Sequence, residues 1–488
     1  VFQIDFDDPW WLLAVFVFDA TIRIAAIIIV PRNRRPTAAM AWLLAIYFIP
    51  IIGVFLFLLI GTPRLPRVRR RRQRAVNEYI QETTRGLDFG TLRPDAPGWF
   101  TSLVTLNRNL GAMPISGDND AHLISDYQES LDAMADAIRH AEAYVHVEFY
   151  ILQSDASTDN FFRAMEEAAA RGVSVRVLLD HWANRGKPYY GRTLKRLDAM
   201  GAKWRLMLPV QPLRGKYQRP DLRNHRKLLV VDGQVAFMGS QNVTDSTYNL
   251  RKNIKRGLHW VDLMVRLEGP VVGSVDAVFL SDWYSETDEI LSEEVRQYDL
   301  NRSTGDLDCQ IVPSGPGFEF ENNLRLFIGL LYAAKRRISV VSPYFVPDEA
   351  ILLAITTACH RGVEVELFVS EEGDQALVYH AQRSYYEALL RAGVRIWMYR
   401  RPYILHTKAF TIDDEVAVIG SSNMDMRSFG LNMEITLMIR GGEFVEEMRE
   451  VEDKYRSLSR ELTLDEWLQQ PLRSTVLDNL ARLTSALQ

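Results

Sequence analysis

Two long apolar runs open the chain, one from about Trp10 to Val30 and one from about Ala38 to Ile60, the second without a charged residue. A bilayer core of ~30 Å takes ~20 helical residues, so each run is long enough to cross it. The preceding segment is acidic (Asp5, Asp7, Asp8), unlike the basic start of a secretory leader. The pattern predicts a transmembrane helical hairpin, with helices about 10–30 and 38–60. Asp19 and Arg23 are four apart, on one face of the first helix, where an ion pair would settle helix packing. Pro50 and Gly53 predict a kink in the second. Arg32, Arg34 and Arg35 occupy the turn, while Arg64, Arg67, Arg69, Arg70, Arg71, Arg72 and Arg74 follow the second run. The larger cluster puts both ends and the soluble bulk in the cytoplasm, with a basic collar that attracts anionic lipid.

Beyond residue 75 the periodicity becomes that of a soluble α/β protein, and it repeats. VHVEFYIL from Val145, an amphipathic stretch ending RGV at 171–173 and VRVLLD are matched by ISVVSPYFV from Ile338, a stretch ending RGV at 361–363 and VELFVS. AMGAKWRLM from Ala199 and RAGVRIWMY from Arg391 extend the match. Strand, helix, strand in this order predicts βαβ units and a largely parallel sheet in each of two duplicated domains. The expected divisions are 1–75 for the hairpin and basic juxtamembrane segment, and 76–110 for a connector. Domains at 111–295 and 307–470 flank a linker at 296–306, and a tail helix occupies 471–488.

Composition narrows the function classes. Of 488 residues, 47% are apolar and 24% charged, which excludes disordered and collagen-like chains. The balance of 57 basic and 62 acidic residues, −5, lacks the positive field of a nucleic-acid binder. Cys309 and Cys359 make no disulfide scaffold and have no zinc-type neighbourhood.

The candidate chemistry lies in a motif present twice. His225, Lys227, Asp232, Gly239, Ser240 and Asn242 share their spacing with His406, Lys408, Asp413, Gly420, Ser421 and Asn423, H-x-K-x4-D-x6-G-S-x-N. Six fixed positions at about one in twenty each leave a chance match of ~10⁻⁸ per start. Residues two apart on a strand share a face, so each histidine and its lysine point the same way. The aspartates fit a tight turn, where the expected role is to cap backbone, and the asparagines follow the return strand. An imidazole, an ammonium and an amide at one sheet end make a nucleophile or proton donor beside donors for phosphate oxygens.

This paired motif resembles the phospholipase D superfamily. AWLLAIYFIPIIGVFLFLLIG, SPYFVPDEAI, LHTKAFTIDDEVAVIGSSNMDMRSFGLNMEI and LTLDEWLQQPL are similar to bacterial cardiolipin synthases of that type, over nearly the whole chain. The resemblance implies two tandem phospholipase D-like α/β domains, mixed sheets flanked by helices, packed face to face behind the membrane hairpin. It implies a transferase joining two phosphatidylglycerol molecules into cardiolipin with release of glycerol, through a phosphatidyl-histidine. A phospholipase D hydrolase, a transferase for another donor or acceptor, and more distantly a nuclease are the alternatives. His225 would attack phosphorus and His406 act as acid, then base. Lys227, Lys408, Asn242 and Asn423 would stabilise the phosphoryl oxygens, with Ser240 and Ser421 beside them. Asp232 and Asp413 belong to the catalytic motif, and Asp262 and Glu434 would orient the imidazoles. No metal or cofactor is expected. The implied partners are anionic phospholipids and the membrane, not nucleic acid, with room for a homo-oligomer. The implied location is the bacterial plasma membrane, multi-pass, catalytic domains facing the cytoplasm. The two halves differ at PVQPLRGKYQRPDLR, where Arg214, Lys216, Tyr217, Arg219 and Arg223 form either a headgroup-steering loop or a plain surface loop. His380 is a further candidate for the mouth of the site, on resemblance alone.

Overall fold

The computed structural model describes residues 9–32, 34, 36–61, 64–85, 93, 95–211, 216–291 and 305–483. They fall into two compact units, Val1–Arg64 and Leu65–Gln488.

In the N-terminal unit the first apolar run is a single helix, Pro9–Ile29, of 21 residues. At ~1.5 Å per residue it matches the ~30 Å bilayer core. It is the one helix among the described residues long and apolar enough to cross a membrane. The expected second crossing is instead two short helices, Pro36–Phe48 and Pro50–Ile60, separated at Ile49, whose φ of −136° and ψ of 71° leave the helical region. Pro50 disfavours helical backbone at the residue before it. Gly53 then lets the two helices close on each other: a Cβ there would lie 2.6 Å from the Ala45 carbonyl oxygen, and Trp42 meets Phe57 edge-on at 5.5 Å. The kink is a reversal, so the second run is two packed helices and not one straight span. Arg23 bonds Asp19 at 2.6 Å and lies 5.2 Å from the Tyr47 ring centroid, tying the first helix to the second. Arg34 donates to the carbonyls of Val30 (2.7 Å) and Gly61 (3.0 Å), so this turn arginine satisfies two helix ends.

The larger unit is a repeat written in strands. Across the first half the order is Ile115–Ile124, Met264–Glu268, Val235–Gly239, Lys227–Val231, Tyr144–Phe149, Ser174–Asp180 and Lys203–Met207. The second half runs Leu307–Ser314, Asn432–Arg440, Val416–Gly420, Ala409–Ile412, Arg337–Val341, Glu364–Ser370 and Arg395–Tyr399, with Ser459–Leu462 added at the edge. Only the three strands Tyr144–Phe149, Ser174–Asp180 and Lys203–Met207, and their counterparts, are parallel; the others in the two lists pair antiparallel. The sheet is therefore mixed, because each motif returns through a tight hairpin that forces antiparallel pairing.

The halves do not stack face to face. Ile115–Ile124 pairs antiparallel with Leu307–Ser314, Ile115 opposite Gln310, and fuses both sheets edge to edge. One core runs beneath the joint, taking Leu228 and Val265 from the first half and Ile419 and Ile435 from the second. Separate cores under the first half (Val147, Phe162) and the second (Ile355, Leu367) cover the outer strands. The repeat's RGV and AMG/RAG signals are helix ends: Gly172, Gly201, Gly362 and Gly393 all have φ between 74° and 101°, where a side chain would be strained.

The arginine-rich segment forms the helix Arg67–Thr83. Arg69 makes a bidentate pair with Glu286 (2.7 Å), and Arg72 pairs with Asp288, so part of the expected collar is spent on the protein itself; Arg64, Arg67, Arg71 and Arg74 are exposed. The C-terminal helix is Leu472–Arg482. The expected linker at 296–306 lies outside the described residues apart from 305 and 306, as do Arg214 and residues 484–488.

Candidate active site

Each histidine sits just before a motif strand, which Lys227 opens in the first half and Lys408 immediately precedes in the second, and each lead-in crosses to the other half. Arg223–Asn224 pairs in parallel with Asn432–Met433, and His225 N–H donates to the Met433 carbonyl at 2.9 Å. Tyr403–Leu405 pairs in parallel with His259–Val261, and His406 N–H donates to the Val261 carbonyl at 2.7 Å. The residue after each accepting carbonyl is the carboxylate, Glu434 after Met433 and Asp262 after Val261. His225 Nδ1 lies 2.9 Å from Glu434 Oε2, and His406 Nδ1 lies 2.7 Å from Asp262 Oδ1. The carboxylates are thus exchanged between the halves, which the sequence did not reveal.

The motif's small residues explain how the carboxylates are held. A Cβ on Gly239 would lie 2.3 Å from the Leu263 carbonyl oxygen, and one on Gly420 the same distance from that of Ile435. Glycine is required for this close approach. It brings the Ser240 hydroxyl to Asp262 (2.6 Å) and the Ser421 hydroxyl to Glu434. Each hydroxyl also accepts a backbone N–H, from Leu263 (2.9 Å) or Ile435 (3.0 Å). Both serines are buried and absent from the cavity wall, with their hydroxyls turned to the carboxylates.

Asp232 and Asp413 are not beside the histidines. They lie past the far ends of Lys227–Val231 and Ala409–Ile412, seven residues on from the histidines, about 23 Å of extended chain at ~3.3 Å per residue. With φ of 52° and 49° they turn the hairpins. Asp232 accepts the N–H groups of Glu142 (2.7 Å), Ala143 (2.9 Å) and Tyr144 (2.7 Å), and Asp413 those of Lys335, Arg336 and Arg337. Their capping extends to the neighbouring strand, and their place in the catalytic set is corrected to a structural one.

Both imidazoles face a cavity of about 610 Å³. Asn242 and Asn423 line it. Asn242 is already engaged, accepting Ile151 N–H (3.0 Å) and donating to the Tyr248 hydroxyl (2.8 Å). Asn423 Oδ1, though buried, has no hydrogen-bond partner among the described residues. Lys227 and Lys408 are buried behind the histidines, each ammonium donating to the carbonyl of its own histidine, Lys408 at 2.6 Å.

Burial makes this a charge-poor site. Desolvation, aided by Lys227 and Lys408, pushes His225 well below the ordinary imidazole range. His406 is lowered too, by desolvation and Lys408, but the adjoining Asp262 carboxylate opposes the shift. Burial lowers Lys227 to about 7 and Lys408 to about 8, and raises Glu434 to about 7. Asp262 is held low: burial works against it, and His406, Lys408 and Ser240 outweigh that cost. The His225 pair is therefore close to neutral, while His406 sits against an ionised carboxylate. Such a split suits one imidazole to attack and the other to carry a proton.

Several wall residues were not foreseen. Tyr150 meets His225 edge-on at 4.7 Å and stands 5.3 Å from the Lys227 ammonium. Tyr344 donates to Asp374 at 3.0 Å on the opposite wall. Tyr150 and Tyr344 each follow the equivalent strand of a repeat, and FYI against PYF was the available signal. Lys187, Lys252 and Arg427 supply cations at the wall. Of the expected basic loop, Arg223 is buried against Asp180 (3.2 Å) and Arg219 pairs with Asp221, while Arg214 and the side chains of Lys216 and Tyr217 lie outside the described residues. His380 is not at the mouth, because its Nδ1 lies 2.7 Å from Asp478 of the C-terminal helix, which Arg383 also binds.

A family model described as "Cardiolipin synthase, PLD-like domain" matches residues 134–282 and 327–455, and one described as "Phospholipase_D-nuclease N-terminal" matches 21–61. The chain is 32% identical to the cardiolipin synthase A of Proteus mirabilis, covering 93% of this chain and 94% of that protein. It is 31% identical to the cardiolipin synthase of Geobacillus kaustophilus, covering 98% and 94%. Among solved structures, the phosphatidylserine synthase of Haemophilus influenzae superposes with a TM-score of 0.58 at 16% identity, over 79% of this chain and all of that one, a likeness of fold.

Proposed function

The chain belongs to the cardiolipin synthase family with phospholipase D-like domains, and we propose that it joins two phosphatidylglycerol molecules into cardiolipin and releases glycerol. The observation that carries this reading is the pair of histidines in one cavity, each with its Nδ1 on a buried carboxylate from the other half.

Neutral His225 attacks phosphorus through Nε2 while the bond from phosphorus to the glycerol oxygen breaks. Protonated His406 gives that oxygen its proton, so glycerol leaves as the neutral alcohol. A terminal hydroxyl of the second phosphatidylglycerol then gives its proton to His406 and attacks phosphorus. The phosphorus–nitrogen bond breaks, and both histidines return to their starting states. Lys227 and Lys408 turn from the histidine carbonyls to the phosphoryl oxygens, where Asn423 assists. Positive charge comes from these side chains, so the scheme routes no step through a metal.

The reading includes a membrane-bound location, at the plasma membrane in a bacterial cell. The helix Pro9–Ile29 exposes Trp10, Phe16 and Phe18, an apolar surface that supports lipid contact. The test is product analysis by mass spectrometry on defined phosphatidylglycerol. Cardiolipin with equimolar glycerol is expected; phosphatidic acid as the main product would make the protein a hydrolase.

A further inference from the structure

The rim of the catalytic cavity is basic and apolar at once. The short helix Arg251–Arg256, sequence RKNIKR, contributes Lys252 and Asn253 to the cavity wall and turns Ile254 outward, 57% exposed. On the facing wall Leu377 is 51% exposed. Arg256 bridges the two walls by bonding Glu372 and the Gly373 carbonyl, so helix and loop are fixed as one rim. Arg251, Lys252 and Lys255 are exposed and make no ion pair among the described residues. Single exposed apolar residues are ordinary on a protein surface. Two of them on opposite walls of a cavity, ringed by cations, make a pattern that water does not stabilise and an anionic lipid surface does.

We infer that this rim docks the Leu65–Gln488 unit directly on an anionic bilayer, with Arg251, Lys252 and Lys255 against lipid headgroups and Ile254 and Leu377 entering the headgroup boundary. The inference rests on the phosphatidyl-transfer reading, since it explains how an anionic lipid reaches buried histidines: the headgroup needs to rise only into a cavity already seated on the membrane. The two carboxylates at the rim do not cancel the field: Glu372 is paired with Arg256 and Arg401, and the single charge of Asp374, which accepts from the Tyr344 hydroxyl, stands against Arg251, Lys252 and Lys255. Charge near an anionic surface is worth roughly fivefold in local affinity per residue.

The experiment uses the full chain in nanodiscs of phosphatidylglycerol and phosphatidylcholine, with Cys359→Ala and the buried Cys309 left in place. A polarity-sensitive fluorophore is attached at Ile254→Cys or, as control, at Asp414→Cys in the hairpin turn remote from the histidines. Nitroxide-bearing lipid should quench the 254 label several-fold more than the 414 label. Arg251→Glu with Lys255→Glu should cut that quenching. It should also lower the rate on nanodisc lipid about tenfold or more, with the rate on detergent-dispersed lipid changing less than twofold. Equal quenching at both positions in a protein that still makes cardiolipin would overturn the docking and spare the function. Strong quenching at 254 in a protein that makes no cardiolipin would overturn the function and leave the docking standing.

Discussion

Glu434, in the second half, holds Nδ1 of His225, in the first, at 2.9 Å, and the reciprocal contact joins Asp262 to His406 at 2.7 Å. Neither half has a complete dyad of its own. The carboxylates differ in charge, Glu434 raised to about 7 and Asp262 held low, and that difference supports the roles proposed for the two histidines.

His225→Ala should abolish both turnover and covalent labelling, since no nucleophile remains. His406→Ala should stop turnover with phosphatidylglycerol. With a donor carrying a good leaving group it should still accumulate an adduct on His225, because nothing activates the acceptor. Intact-protein mass reads both; an adduct on His225→Ala alone would reverse the assignment.

Asp262→Asn takes the negative charge from behind His406, so less imidazolium forms and the alkaline limb of the pH–rate profile, which reports the general acid, moves to lower pH. A loss of ~10²–10⁴ in kcat is expected. A donor with a good leaving group should recover most of the first step, as measured by burst kinetics. An unchanged alkaline limb would remove Asp262 from this role.

Binding of an unreactive phosphodiester analogue should take up protons. In the empty site Lys227 titrates at about 7 and Lys408 at about 8, so at pH 8 the first is mostly neutral and the second half neutral. An anion restores both charges, which requires ~1 proton or slightly more at pH 8 and little below pH 6. Calorimetry in two buffers of different ionisation heat measures the uptake; buffer-independent heats at pH 8 would contradict it.

Because lysines neutralise the phosphoryl oxygens, activity should survive EDTA. Rates with chelator, corrected for lipid aggregation state, should stay within about twofold; strict dependence on an added divalent ion would count against the site.

Asp232→Asn should lower stability by ~1–3 kcal/mol, because three backbone N–H groups lose a charged acceptor. The thermal midpoint should fall while the pH–rate profile of the folded enzyme stays the same. A profile shifted along pH would return Asp232 to the catalytic set.

The chemistry was legible because it depends on local spacing: two residues along a strand place His225 beside Lys227, whatever the rest does. The repeat likewise foretold the strand–helix–strand units whose strands run parallel, Tyr144–Phe149 with Ser174–Asp180 and Arg337–Val341 with Glu364–Ser370, but not the antiparallel strands beside them. The crossed carboxylates were not legible, since pairing of Arg223–Asn224 with Asn432–Met433 is a long-range contact with no local signature. Ser240 and Ser421 misled because a hydroxyl beside a catalytic residue reads as substrate-facing, while close approach at Gly239 and Gly420 turns it toward a carboxylate. In the second apolar run Pro50 and Gly53 gave the kink but not its size, since how far the helix folds back depends on the close contact of Gly53 with Ala45.

Joining Ile115–Ile124 to Leu307–Ser314 also removes two sheet edges from solvent. Separate halves would each present an unpaired strand there, a template for stacking copies into filaments. In the fused sheet the terminal strands are Lys203–Met207 and Ser459–Leu462, five and four residues long. Both carry charge outward, at Lys203 and Arg205 on one and at Glu461 on the other. Short, charged borders resist the addition of another strand, so the duplication that builds the site also guards the protein against polymerising through its sheet.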